Sequence, residues 1–163
     1  MPKGIKLSKI STKAPKELKK GKIVEKSKEL FDQIGHLQHV LYAERKHSVL
    51  VIFQGIDGSG KDGATKHVFS GCSPQGIRLE AFKKPSEEEM NHDFLWRIHS
   101  NAPEKGFIQI FNRSHYEDIL IQRVHHWIDE DRVQKRMAAI NAFEELLHFD
   151  NNTLVLKFYF HIS

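Results

Sequence analysis

The feature that most constrains the fold of this chain is a glycine-rich segment that directly follows a buried-strand pattern. Residues 48–54 (SVLVIFQ) form a continuous apolar run with β-branched side chains, which is typical of a strand covered on both faces. Gly55 to Lys61 (GIDGSGK) follow at once and match the first seven positions of G-x-x-x-x-G-K-[ST]. A helical pattern then begins at Lys61. This order predicts a strand, a phosphate-binding loop and a helix whose N-terminus attracts the anion.

The rest of the pattern alternates between helices and strands. Apolar residues at three- and four-residue steps predict an amphipathic helix over Lys26–Arg45, and Ser86 with Glu89 forms a capping-box pattern. The predicted strands are 48–54, 77–82, 107–111 and 153–160, and the later helices are 61–70, 86–101 and 116–149, with a turn at 150–152. Strands separated by helices predict an α/β fold, a three-layer α/β/α sandwich with a parallel sheet, preceded by an N-terminal helix.

The positive charge of the chain is concentrated at its start. Residues 1–28 contain ten Lys and two Glu, a net charge of +8, whereas the remaining 135 residues have a net charge of −4. We therefore divide the chain into a basic flexible tail (1–25) and one main domain (26–163). The tail could attract a polyanion, either nucleic acid or a phosphate polymer, through sequence-independent electrostatics. The alternative is a solvated arm or docking strap.

Composition excludes several kinds of site. A single cysteine, Cys72, rules out an intramolecular disulfide framework and a cysteine-based zinc site. No apolar stretch approaches the ~18 residues of a membrane span, and the N-terminus lacks the apolar core of a signal peptide. We therefore expect a cytoplasmic protein with no membrane partner. The His36/His39 and His125/His126 pairs suggest no third metal ligand nearby, so we interpret them as surface or packing residues.

Two acidic residues in the loop region determine how a metal could be held there. Asp62 occupies the position whose hydroxyl usually ligates Mg2+, so the metal must be held differently. Asp57 would repel phosphate unless Mg2+ lies between them, which makes it a candidate metal ligand or catalytic base. The alternative is a carboxylate that only stabilises the turn. Lys61 supplies a mobile charge. The predicted phosphate-binding residues are Gly58, Ser59, Gly60, Lys61, Asp62 and Gly63.

A second polar group follows the strand at 107–111. That strand ends in Asn112, where related sheets usually have an Asp that supports Mg2+, so charge would have to come from Glu117 and Asp118 at the start of the next helix. Arg113 is placed to neutralise phosphate in the transition state. The alternative is that the Glu-Asp pair only complements the helix dipole.

Three basic residues elsewhere have two interpretations each. Lys83 and Lys84 follow the second strand and would either contact a phosphate polymer or lie in a solvated turn. Arg97 lies beside Trp96, in a segment that favours helix docking, and could also reach a phosphate.

Four segments together closely resemble the family-2 polyphosphate kinases. They are GIDGSGKDGATK (55–66), FLWRIH (94–99), PEKGFIQIFNRSHYED (103–118) and FYFHIS (158–163), and the match covers nearly all of residues 30–163. The resemblance implies reversible transfer of a terminal phosphoryl group from inorganic polyphosphate to AMP and/or ADP, with Mg2+, on a fold like that of thymidylate kinase. The FNRSHYED form resembles the subgroup that accepts both nucleoside mono- and diphosphates.

The resemblance also implies roles for single residues. Asp57 would handle Mg2+ and activate the acceptor phosphate, Lys61 would be the phosphate-loop lysine, and Lys66 would contact polyphosphate. Catalysis is thereby assigned to Asp57, Lys61 and Arg113, nucleotide binding to Asn112, Arg113 and Glu117, and metal binding to Asp57 and Asp118.

The family pattern continues beyond the H-I-S segment into a basic lid, whereas this sequence stops at Ser163. We therefore expect a P-loop kinase domain that is incomplete at its C-terminus and excludes water poorly. Two alternatives stay open: an ATP-dependent nucleoside monophosphate kinase, and a lidless, non-catalytic module that binds polyphosphate or nucleotide. In the module, Lys61→Ala would lower affinity rather than rate. The expected partners are inorganic polyphosphate and AMP, ADP or ATP, with no specific nucleic acid, and a homo-oligomer is left open.

Overall fold

Four parallel strands form the central sheet. The computed structural model describes residues 5–15 and 17–162, so residues 1–4 and 16 of the predicted tail, and Ser163 of the final motif, lie outside the described part. The strands are β1 (Ser48–Gly55), β2 (Ile77–Ala81), β3 (Ile108–Asn112) and β4 (Thr153–Phe160). Their order across the sheet is β2, β3, β1, β4, and each neighbouring pair is parallel. The prediction of a parallel sheet is confirmed.

Helices precede and connect these strands. They are α1 (Lys20–Glu44), α2 (Lys61–Val68), α3 (Glu87–Met90), α4 (Trp96–His99), α5 (Glu117–Val124) and α6 (Glu130–Asn151), with short 3-10 turns at Leu7–Lys9 and Pro74–Gly76. The capping box predicted at the start of α3 is present, with hydrogen bonds in both directions between Ser86 and Glu89. None of the helices in the described ranges is long and apolar enough to cross a membrane.

The N-terminal helix begins earlier than the sequence predicted. Helix α1 begins at Lys20, six residues before the predicted start at Lys26, so it includes the last part of the segment assigned to the tail. Residues 20–25 (KGKIVE) contain only two apolar residues, at adjacent positions, so they lack the three- and four-residue spacing that marks the rest of the helix. The α1 helix ends as predicted, with Arg45 in the left-handed conformation and its N–H donating to the Leu41 carbonyl.

Two helices predicted as continuous are interrupted. The predicted 86–101 helix becomes α3 and α4, because the Asp93 carboxylate accepts a hydrogen bond from the Leu95 N–H and forms a local turn. The predicted 116–149 helix becomes α5 and α6. His126 has a left-handed backbone (φ 55°), and Asp129 caps α6 by accepting from the Arg132 N–H. Both interruptions are made by short polar side chains or turn geometry rather than by glycine or proline.

Alternate side chains of β1 enter two separate apolar cores. Leu50 and Ile52 pack with buried residues of the helices on one face, which include Ile98, Ile119 and Ile140. Val51 and Phe53 lie in the other core, against which Leu41 of α1 and Phe69 after α2 pack. Helices therefore cover both faces of the sheet, and the predicted three-layer α/β/α sandwich is confirmed.

The strand register brings the ends of three strands to one edge. Phe53 pairs with Asn112, and Gly55 at the end of β1 pairs with Phe160 at the end of β4. The glycine-rich loop after β1 therefore lies beside the segments that follow β3 and β4. In open parallel sheets the crevice beyond the carboxyl ends of the strands is where ligands bind.

Candidate active site at the carboxyl edge of the sheet

A cleft of about 420 Å3 lies at this edge. The loop residues from Asp57 to Asp62 line it, together with Asn112 at the end of β3, Arg113 directly after it, and Lys83 after β2. The structure therefore brings together the loop and the polar residues that the sequence placed after two different strands. Lys83, one of the two lysines with an undecided role, belongs to the same cleft.

The backbone of the loop depends on two glycines. Gly58 and Gly60 have φ angles of 77° and 85°, a left-handed conformation that glycine adopts without steric cost. Gly60 immediately precedes α2, so the first N–H groups of that helix, which have no partners within the helix, face the cleft end of the loop. The loop and helix start thus supply a site for an anionic group.

Lys61 is held inside this loop. Its side chain is buried, with 7% of the residue exposed, and its Nζ donates to the carbonyl oxygens of Gly55 and Ile56 at 2.9 Å each. A third, longer contact of 3.4 Å joins Nζ to the Ser59 hydroxyl. The ammonium is therefore positioned by the loop backbone, next to the place where phosphate oxygens would approach.

Two polar pairs connect the loop side of the cleft to the end of β3. Arg113 forms an ion pair with Asp57, and the Asn112 side-chain amide donates to the carboxylate of Asp62. Arg113 has a left-handed backbone (φ 62°), fixed by the hydrogen bond from its N–H to the Phe53 carbonyl at 3.0 Å. The Asp57 side chain is 84% exposed, so its carboxylate is also accessible from the cleft.

Glu117 lines an adjoining cleft of about 290 Å3 together with Asp57 and Arg113. Burial raises the pKa of Glu117, and the nearby Arg113 guanidinium and a hydrogen bond with Gln54 oppose that increase. A carboxyl group with a raised pKa beside an arginine is a common feature of active sites.

Asp118 lies apart from the other acidic residues. It is buried, and its two carboxylate oxygens accept hydrogen bonds from Arg97 at 3.0 Å and from Gln122 at 3.2 Å. Arg97 is buried too and also donates to the Lys83 carbonyl. These contacts favour a structural role for Arg97 over a contact with phosphate. Asp118 does not line the 420 Å3 cleft. Its predicted metal role stays a prediction.

Two predicted phosphate contacts also lie outside the cleft. Gly63 and Lys66 are exposed on α2, and neither lines the 420 Å3 cleft. Their roles stay predictions.

A polar cluster around Glu144 could not be found from the sequence. Glu144 of α6 accepts a hydrogen bond from the Tyr116 hydroxyl at 2.9 Å, pairs with Lys157 of β4 at 2.6 Å, and lies 3.3 Å from Nε2 of His115. Ser114 bonds to Gln54 of β1 at 3.1 Å. These contacts fix the segment that directly follows Arg113. The only sequence signal was the polar N-R-S-H-Y run itself, which does not reveal partners distant in the chain.

The fold and this cleft define an α/β domain of the P-loop kinase type. The family model described as "Polyphosphate kinase 2 (PPK2)" matches residues 17–163. The chain belongs to the polyphosphate kinase 2 family, and the resemblance read from its motifs is confirmed.

Individual relatives agree with this assignment. The chain is 48% identical over 127 residues to a Meiothermus ruber protein named AMP/ADP-polyphosphate phosphotransferase. The aligned region covers 78% of this chain and 47% of the relative. It is 43% identical over 144 residues to an ADP-polyphosphate phosphotransferase of Rhodopseudomonas palustris, covering 81% of this chain and 50% of the relative. The chain therefore spans about half the length of these relatives.

A solved structure shows the same architecture. The crystal structure of polyphosphate kinase 2 from Arthrobacter aurescens TC1 superposes with a TM-score of 0.91 at 37% identity, over 100% of this chain and 59% of that one. At this identity and TM-score, the two chains share the fold and the position of the glycine-rich loop within it.

Proposed function

We propose that the chain transfers a phosphoryl group between inorganic polyphosphate and AMP and/or ADP at the cleft formed by the glycine-rich loop and the end of β3. The observation that carries this proposal is the convergence of Lys61, Asp57 and Arg113 at one edge of the sheet, at the start of α2. The names of the Meiothermus ruber and Rhodopseudomonas palustris relatives support these donor and acceptor classes.

The cationic groups would act on the charge of both substrates. Polyphosphate and nucleotide are polyanions, so their reacting phosphates repel each other unless cations lie between them. Lys61 would neutralise oxygens of the transferred group, and Arg113, which lines the same cleft, would hold the acceptor phosphate in line with it. Asp57 would orient the acceptor through its pair with Arg113.

The residues present fit Mg2+. Asp57 and Asp62 place carboxylate oxygens on the same cleft, and Asn112 adds an amide. Among the described residues no three His, Cys, Asp or Glu side chains are grouped to hold a metal by themselves. Proteins usually bind Mg2+ through one or two carboxylates plus substrate phosphates and water, and Asp57 and Asp62 would supply the carboxylates. When bound, Mg2+ would supply charge neutralisation to the phosphates.

A comparison of donors tests the proposal. The chain would be incubated with Mg2+ and either AMP or ADP, with polyphosphate or ATP as the donor, and nucleotide products would be separated by chromatography. We expect product with polyphosphate, and a loss of at least about 100-fold in kcat for Lys61→Ala and for Asp57→Asn. Lys135→Ala is the matched control, because Lys135 is exposed on α6 and pairs only with the exposed Asp131 among the described residues.

Three outcomes would contradict the proposal. Turnover with ATP and AMP but not with polyphosphate would indicate an ATP-dependent nucleoside monophosphate kinase. Binding of polyphosphate by calorimetry without turnover would indicate a binding module. Equal losses in Lys61→Ala and Lys135→Ala would show that the loop lysine has no special role.

A further inference from the structure

The first described residues of the chain lie against the end of β4. The carbonyl oxygen of Ile10 is 3.1 Å from Nε2 of His161, the first residue after β4. This contact joins two positions 151 residues apart. Residues 5–15, which we call the lysine strap, are therefore attached to the carboxyl edge of the sheet rather than to its opposite edge.

The end of β4 in turn touches the phosphate loop. A Cβ on Gly60 would lie 4.0 Å from the Ile162 side chain, and one on Gly55 would lie 2.9 Å from the Phe160 carbonyl oxygen. His161, which contacts the strap, lies in the chain between Phe160, the last residue of β4, and Ile162. The strap is thus connected to the loop through one short segment.

The strap carries a net positive charge. It contains Lys6, Lys9 and Lys13, all exposed, and no acidic residue. Lys9 adjoins Ile10, and the other two are three or four residues away, at most about 14 Å along an extended backbone. None of these lysines forms an ion pair with a described side chain. Their charge is available to an external anion.

We propose that the lysine strap binds the part of a polyphosphate chain that extends beyond the cleft, and so makes the protein favour long polymers. This inference rests on the proposed function, because it takes polyphosphate as the ligand of the cleft. A linear polymer with one terminal phosphate at Lys61 must leave the cleft in some direction. The strap provides three cations on a segment that contacts His161, whose two neighbours in the chain approach the loop. Contacts between such cations and a polyanion depend on charge and not on sequence.

Binding experiments with two phosphate chain lengths test the strap separately from catalysis. The triple variant Lys6→Gln, Lys9→Gln, Lys13→Gln would be compared with Lys46→Gln, Lys105→Gln, Lys135→Gln. Lys46 and Lys105 precede β1 and β3, at the opposite edge of the sheet, and Lys135 is exposed on α6 and does not line the cleft. This control therefore removes the same charge outside the cleft and the strap. Affinities for long-chain polyphosphate and for tripolyphosphate would be measured by calorimetry at several salt concentrations.

We expect the strap variant to lose affinity for long-chain polyphosphate by about tenfold or more, and the slope of log Kd against log salt to fall by about two. Its affinity for tripolyphosphate should stay within about twofold of the unmodified chain, since a short ligand does not reach beyond the cleft. The control triple variant should retain the long-chain affinity.

Several results would overturn the strap proposal while leaving the proposed function standing. The first is an affinity for long-chain polyphosphate that is unchanged in the strap variant. The second is an equal loss of that affinity in the strap and control variants. The third is an equal loss of affinity for long-chain polyphosphate and for tripolyphosphate in the strap variant. Single-stranded RNA that binds as tightly as long-chain polyphosphate, with the same dependence on the three lysines, would identify the strap as a nucleic-acid surface. Absence of turnover, by contrast, would contradict only the proposed reaction.

Discussion

Replacing Glu144 by glutamine should make the chain less stable at neutral pH and change how its stability depends on pH. The Glu144 side chain is 11% exposed and contacts His115, Tyr116 and Lys157. Burial alone would raise its pKa, but the hydrogen bonds from these three residues lower it from 4.5 to about 2. Burial alone would lower the pKa of Lys157, but its hydrogen bonds with Glu144 and Tyr116 raise it. Glu144 and Lys157 are therefore both ionised at neutral pH.

The magnitude follows from the pKa difference. Because the folded-state pKa of Glu144 is lower than its ordinary value, the charge stabilises the folded chain above about pH 4.5, and this stabilisation is lost as pH falls towards 2. At about 1.36 kcal/mol per pH unit the whole effect is roughly 3 kcal/mol. About 2 kcal/mol of it should disappear between about pH 7 and about pH 3.

Urea unfolding at those two pH values measures the effect. The free energy of unfolding, followed by circular dichroism, should be lower in Glu144→Gln than in the unmodified chain by roughly 3 kcal/mol at about pH 7 and by roughly 1 kcal/mol at about pH 3. Glu145→Gln is the matched control, because Glu145 is the next residue and is exposed. A difference that does not change with pH, or an equal effect in both variants, would refute this reasoning.

Two other predictions concern a close approach of two backbones and a buried ion pair. Gly35→Ala should destabilise the chain by about 1–3 kcal/mol, because a Cβ there would lie 2.4 Å from the Gly71 carbonyl oxygen. Gly21 lies on the same helix, where a Cβ would meet nothing within 4 Å, so Gly21→Ala should raise stability by at most about 1 kcal/mol. Thermal unfolding would measure both variants, and equal effects would contradict the close approach at Gly35. Asp118→Ala should cost about 3 kcal/mol, because it removes the nearer and more buried of the two carboxylates that pair with Arg97 and leaves only the longer ion pair with Glu89, at 3.7 Å. A loss below about 1 kcal/mol in urea unfolding would be inconsistent with a buried pair.

Local signals predicted the centre of the fold well. Strand β1 and the loop after it are encoded within a single run of residues, and the left-handed positions of the loop are glycines. The capping box at Ser86 is equally local, since both partners lie within one helical turn. Features of this kind depend on neighbouring residues and can therefore be predicted without knowledge of the tertiary structure.

The features that were missed depend on distant partners or on turn geometry. The break at Asp93 and the left-handed backbone at His126 interrupt patterns that remain helical in their apolar spacing. The pairing of Asp118 with Arg97 joins residues 21 positions apart, and only the folded chain reveals it. The same holds for Glu144, which gave no signal in the sequence because its three partners come from a loop and a strand elsewhere.

Phosphorus NMR tests the central claim most directly, namely that the loop and the end of β3 transfer a phosphoryl group. The chain would be mixed with ADP, long-chain polyphosphate and Mg2+, and the terminal-phosphate signals of ADP and ATP would be followed over time, with Lys61→Ala and Lys135→Ala in parallel. We expect the ATP signals to grow in the unmodified chain and in Lys135→Ala but not in Lys61→Ala. Unchanged ADP signals in the unmodified chain, with both ligands shown to be bound, would contradict the claim.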